Sequence, residues 1–223
     1  MDSKSEEVND EDRIELPPDT IAILNEFLYK KHMQDSMESE EKEFEEDWQL
    51  SQFWYDKNTV CSLSKVCLKL IIERHQYQKP SQIAIALLCC PSLYKSVKAI
   101  HPNGIVRLLE FDTRFSAFGN DFEYYDYKDV KTNEILQNNY GNFFDILIID
   151  PPFISKECIE HVSTLIHVIK KENSKIIMCS GQKAADWIKN YLLLNIQAFQ
   201  PGHQRNLANE FSCYANFDFD NLL

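Results

Sequence analysis

The sequence predicts an α/β fold in which a doubly wound parallel sheet is wrapped by helices on both faces and closed by an antiparallel pair. Three observations carry this expectation. Short continuous apolar runs at 83–88 and 144–149 suit strands covered on both faces. Segments whose apolar residues recur at spacings of three and four alternate with such runs, as βα units require. Each run is stopped by a turn or polar residue, as at Pro91, Asp150 and Ser180-Gly181.

Residues 1–16 are polar and acidic and are expected to be disordered. After Pro17-Pro18, Asp19 can cap a helix with Ile21, Leu24, Phe27 and Leu28 on one face. From Asp35 to Asp47 the chain is acidic again, which reads as a linker or a solvated helix face. The expected division is an acidic N-terminal helical extension over 1–47 and one domain over 48–223. Residues 58–76 read as a helix with Val60, Leu63, Cys67, Leu70 and Ile71 on its apolar face. Strands are expected at 83–88, at 105–109 closing on Glu110 and Asp112, more weakly at 122–127, and at 144–149 ending on Asp150. A helix then carries Ile159, Val162, Ile166 and Ile169, followed by a strand at 175–179, a helix at 184–194, and an antiparallel pair around 196–200 and 211–217.

The formal net charge of -12 is unevenly placed: residues 1–47 hold 17 acidic and 5 basic residues, whereas 48–223 hold 18 of each. The domain is therefore neutral and lacks the clustered basic face of a protein that tracks nucleic-acid backbones. No nucleic-acid partner is expected. The seven cysteines contain no C-x-x-C pair, so neither a disulfide framework nor a zinc site is predicted, and the six histidines show no ligand spacing. No apolar stretch is long enough to span a bilayer and the N-terminus has no apolar targeting region. These features predict a cytoplasmic monomer with no membrane partner.

In doubly wound sheets ligands bind at the carboxyl ends of the strands, so the residues standing there are the candidates. Asp150-Pro151-Pro152-Phe153 follows the most apolar strand in the chain. Two prolines fix φ and remove two amide donors, leaving free carbonyls beside a carboxylate and an aromatic face, a loop suited to holding an amino group. Glu110 and Asp112 end the second strand, where an acid typically bonds ribose hydroxyls. The turn after the first strand, Cys89 to Tyr94, lacks the glycines usual in a dinucleotide loop. Aromatics cluster in Gln52-Phe53-Trp54-Tyr55, and Arg205, Asn206, Asn209 and Glu210 bring polar groups to a sheet end between the last two strands. His203 reads as structural.

Taken with Asp47 to Tyr55, Glu110-Phe111-Asp112 with Arg114-Phe115, Tyr125-Asp126-Tyr127, Asp150 to Phe153 with Cys158, and Arg205 to Phe211, the chain resembles the eukaryotic elongation factor 1-alpha lysine methyltransferases, once labelled N6-adenine-specific DNA methyltransferase-like proteins. The resemblance runs from about residue 47 to the end. It implies a seven-strand Rossmann-like class I methyltransferase sheet, S-adenosyl-L-methionine as methyl donor, and a lysine of translation elongation factor 1-alpha as acceptor. Carried over, it makes Asp150, Pro151, Pro152 and Phe153 the amine-binding loop. It makes Gln52, Phe53, Trp54 and Tyr55 part of the donor site, with Glu110 or Asp112 as the ribose ligand; Asp126 is expected at the donor site too, and the polar loop carrying Arg205, Asn206, Asn209 and Glu210 is expected to face substrate. Phe153 stands where many relatives have Tyr. Two other readings compete: the same loop taking adenine in DNA or RNA, and a non-catalytic binding module in which the glycine-free turn no longer holds the donor.

Overall fold

The computed structural model describes residue 44 and residues 46–50, 52–205 and 210–223. The helix expected from Asp19 to Leu28 lies outside the described residues, as do Asn206 and Asn209.

Helix α1 (Lys57–His75) begins where Asp56, in extended conformation, accepts the Thr59 amide at 2.7 Å. It ends on Arg74 and His75, whose side chains suit the negative end of the helix dipole. The strands are β1 (Ala84–Leu88), β2 (Ile105–Glu110), β3 (Phe122–Tyr124), β4 (Phe144–Ile149), β5 (Lys170–Gly181), β6 (Asn195–Ile196) and β7 (Phe211–Ala215), and the remaining helices α2 (Tyr94–Ile100), α3 (Val130–Tyr140), α4 (Lys156–Ile169) and α5 (Ala185–Leu192). Their order in the sheet is β3-β2-β1-β4-β5-β7-β6, parallel from β3 to β5, with β7 antiparallel to both of its neighbours. This is the expected seven-strand, doubly wound, Rossmann-like sheet.

Every residue of β1 and β4 is buried, and strand alternation sends successive side chains to opposite layers. Ile85, Leu87, Ile146 and Ile148 pack with Leu63, Cys67 and Leu70 of α1 and Val97 and Ile100 of α2. Ala84, Leu88, Leu147 and Ile149 pack with Leu136 of α3, Ile159, Val162 and Ile166 of α4, and Ile188 of α5. Each face therefore has its own core, which explains why these strands read as unbroken apolar runs. Asp145 interrupts one run. Its carboxylate accepts the Ala84 amide at 3.0 Å and pairs with Lys171 at 2.7 Å and Arg74 at 3.6 Å, fastening the amino end of the sheet away from the strand tips.

The structure departs from expectation in five places. Helix α2 was not predicted because it is one short run entered from a 3-10 turn at Pro91–Leu93, without a capping side chain. Helix α3 was hidden by its polar content, for among its described side chains only Thr132, Leu136 and Tyr140 are buried. Strand β3 stops at Tyr124 rather than 127, and β5 starts at Lys170 rather than 175, across a register shift opposite Phe144 and Ile146. The closing pair is shorter than expected, at 195–196 and 211–215. Among the described residues no helix is long and apolar enough to cross a membrane.

Candidate active site

The strand order turns at β1, which lies between β2 and β4, and a crevice opens at the carboxyl ends of these strands. Backbone pairing continues to its edge. Asp150 N–H donates to Leu88 O at 3.0 Å, Cys89 N–H to Leu109 O at 2.9 Å, and Tyr125 N–H to Glu110 O at 3.0 Å. These bonds hold the strand tips as the floor of a mainly apolar cavity of about 520 Å³, within the range of small-molecule sites.

Asp150 lies on this floor, followed by Pro151, Pro152 and Phe153, all of which line the cavity. The loop is short because Ser155 immediately caps α4 by accepting the Cys158 amide at 3.2 Å. Phe153 remains 44% exposed, and its ring meets Tyr127 at 5.9 Å, so an aromatic pair stands beside the carboxylate. Burial pushes the Asp150 carboxyl up to about 7; the Tyr55 hydroxyl opposes that rise and Glu110 adds to it. Some solvent still reaches Asp150 through the cavity, which tempers its desolvation.

Glu110 lines the same cavity. One carboxylate oxygen, Oε1, accepts the Phe111 and Asp112 amides at 2.9 and 3.1 Å, which fixes the group and leaves Oε2 for a ligand. Burial also pushes this carboxyl up to about 7, against the two amide bonds; nearby Asp112 adds to the rise and the Gln52 amide opposes it.

A model of the family described as "Probable N6-adenine methyltransferase" matches residues 46–219. The chain belongs to this family. A protein-lysine N-methyltransferase of Drosophila melanogaster is 40% identical over 96% of this chain and 98% of its own length. EEF1A lysine methyltransferase 1 of Homo sapiens is 31% identical over 95% of this chain and 96% of its own. Among solved structures, Aeropyrum pernix fibrillarin in complex with natively bound S-adenosyl-L-methionine is similar with a TM-score of 0.45 and 13% identity, covering 68% of this chain and 75% of that one.

In this N6-adenine methyltransferase family member the remaining predicted residues separate into those that reach the cavity and those that do not. Gln52, Phe53, Trp54 and Asp126 line it. Asp112 does not. Its burial alone would raise its pKa, but bonds from Arg114 Nε at 2.8 Å and Gln52 Nε2 at 3.0 Å outweigh this and hold it below the usual carboxylate range. Arg114 also donates to Gln52 Oε1 at 3.0 Å, so the three side chains form a closed triangle that seats the 52–54 wall against the tip of β2. Tyr55 lies in the core, 1% exposed, rather than on the cavity wall. Arg205 Nε pairs with Glu46 at 3.1 Å, Glu210 is exposed and gives its carbonyl to Gln182, and neither lines the cavity.

Residues given no site role from the sequence also line it, among them Cys89, Tyr125, His203 and Phe211. Cys89 and Tyr125 were findable, since each follows a strand tip just as Asp150 does. His203 lies in a loop and Phe211 opens β7, and only the fold brings the two to the same strand tips. The His203 ring sits edge-on to Phe211 at 4.6 Å, and burial lowers its pKa, opposed by Asp56 and Glu46. Among the described residues no cluster of three or more His, Cys, Asp or Glu could hold a metal ion.

Proposed function

We propose that the chain is an S-adenosylmethionine-dependent protein-lysine N-methyltransferase acting on a lysine of translation elongation factor 1-alpha, in the cytoplasm and as a monomer. The observation that carries this reading is one cavity holding two different carboxyls, Glu110 clamped by backbone amides and Asp150 beside a proline-fixed loop. The human relative's name supplies the acceptor.

The residues present fit the donor: Glu110 Oε2 can accept from ribose hydroxyls, and the apolar walls suit an adenine ring. When bound, S-adenosylmethionine supplies an electrophilic methyl on sulfur. The chain's own work is placement. Asp150 and the Pro151 carbonyl accept hydrogen bonds from the acceptor amine and aim its lone pair, while the faces of Phe153 and Tyr127 tolerate cationic nitrogen. The nitrogen gains a methyl and loses a proton. A carboxyl lifted to about 7 by burial is well matched to take that proton near neutral pH.

Adenine is the second reading, favoured by the family's description, because an exocyclic amine would meet the same loop. Phosphate binding draws on lysine and arginine, and residues 48–223 carry 18 basic against 18 acidic side chains. Incubating the protein with methyl-labelled donor and cell extract, then treating samples with protease or nuclease, separates the two. Protease-sensitive label on a protein of elongation factor size is expected; nuclease-sensitive label would overturn the acceptor assignment.

A further inference from the structure

Directly behind Asp150 stands a tyrosine that the fold does not fully use. Tyr55 is 1% exposed, and its hydroxyl is buried without a hydrogen-bond partner. Buried polar atoms in native folds are nearly always paired, so each exception asks for a reason. Packing is not the reason, because phenylalanine would fill the same space. The groups facing the hydroxyl are Asp150 and the thiols of Cys90 and Cys179, while the ring's flank meets His203 at 5.3 Å. Of these, only the carboxylate is a strong acceptor. Tyr55 also follows Gln52, Phe53 and Trp54 directly, so its backbone belongs to the segment that forms the cavity wall. An antiparallel bridge to His203 holds that backbone in place.

We propose that Tyr55 is a positioning residue for methyl transfer, its hydroxyl donating to the Asp150 carboxylate when an acceptor amine is bound. Catalytic hydrogen bonds commonly tighten only when the reacting partner is present. The bond does two things. It orients one carboxylate oxygen, leaving the other for the amine. It also favours the ionised form of Asp150, against burial and Glu110, which favour the neutral form. The titratable groups facing Asp150 are Tyr55, Glu110 and the thiols of Cys89, Cys90 and Cys179; burial keeps Cys89 and Cys90 protonated at neutral pH, and at Cys179 the hydrogen bond with Cys213 does so first, with burial adding to it. Tyr55 is thus the group on that side that supports the charge.

The proposal rests on the amine-binding role given to Asp150, and its test keeps the two apart. Tyr55→Phe is compared with wild type and with Tyr214→Phe, which removes another buried, unpartnered hydroxyl that does not line the cavity. Three quantities are measured: methyl transfer across pH, donor KM, and, with acceptor protein bound at saturation, the titration of Asp150 by carbon NMR of labelled aspartate, assigned through Asp150→Asn. For Tyr55→Phe we expect kcat at neutral pH to fall about tenfold, as for a lost hydrogen bond to a charged group. The acid limb and the Asp150 midpoint should move up by about one pH unit. Donor KM and melting temperature should hold, and Tyr214→Phe should resemble wild type. A Tyr55→Phe protein with wild-type rate and profile would overturn the positioning role while leaving lysine transfer intact. A wild type that labels no protein would fail the lysine reading, whereas an identical Asp150 midpoint in both proteins would fail the hydrogen bond whatever the acceptor.

Discussion

Asp150 and Glu110 share one cavity and one perturbation, since burial lifts both carboxyls to about 7 from ordinary values of 3.8 and 4.5. A carboxyl that holds its proton more tightly folded than unfolded contributes stability that is complete below the unfolded pKa and is lost as pH rises through the folded one. The melting temperature should therefore decline from about pH 4 to pH 7, and Glu110→Gln or Asp150→Asn should each flatten part of that slope. Thermal melts across this range check it, and a wild-type slope in both variants would contradict it. Kinetically the two residues should divide. Asp150→Ala should abolish transfer and leave donor affinity within a few-fold by calorimetry, because its proposed partner is the amine; activity near wild type would remove it from the site. Asp150 was legible in the sequence because it ends an apolar run and precedes two prolines. His203 was not, since its place depends on a contact with Tyr55 almost 150 residues away in the chain.

At the scale of elements, the glycine-rich turn expected after the first strand of a nucleotide-binding sheet is replaced by Cys89, whose φ of 57° lies in the left-handed region. Leu193 at the end of α5 has the same φ and is 73% exposed. Side chains other than glycine cost about 1–2 kcal/mol there, so Leu193→Gly should stabilise the protein by about 1 kcal/mol and raise its melting temperature by about 2–4 °C. Cys89→Gly should relieve the same strain without loss of donor affinity; a tenfold loss by calorimetry would show that the thiol is a wall contact in its own right. Strands β1 and β4 were readable because both faces are buried, whereas α3 was not, because a helix whose described side chains bury three residues among asparagines and other polar groups carries almost no periodic signal. Strand β3 ended early for a different reason: pairing stops after the Tyr125 N–H, and Tyr125 and Tyr127 line the cavity, so apolar character beyond Tyr124 marked the site rather than the sheet.

At the scale of the molecule, the acidic excess of residues 1–47 joins the domain beside the cavity, where Gln49 and Leu50 already form part of its wall. Such a field speeds encounter with a cationic protein and is screened over about 8 Å at physiological ionic strength. Removing residues 1–40 should lower kcat/KM, leave kcat unchanged and weaken the dependence on salt; equal salt dependence in both proteins would reject steering. One joint in the fold also orders events in time. The wall segment at 54–56 is stitched to 202–204 by Asp56 N–H to Gly202 O at 3.0 Å and Gln204 N–H to Trp54 O at 2.8 Å, and the approach is so close that a Cβ on Gly202 would lie 2.3 Å from the Asp56 carboxylate. The cleft can thus be finished only once residues 202–204 have been synthesised. Nascent chains halted short of residue 200 should leave the 46–56 stretch open to protease and should fail to bind the donor.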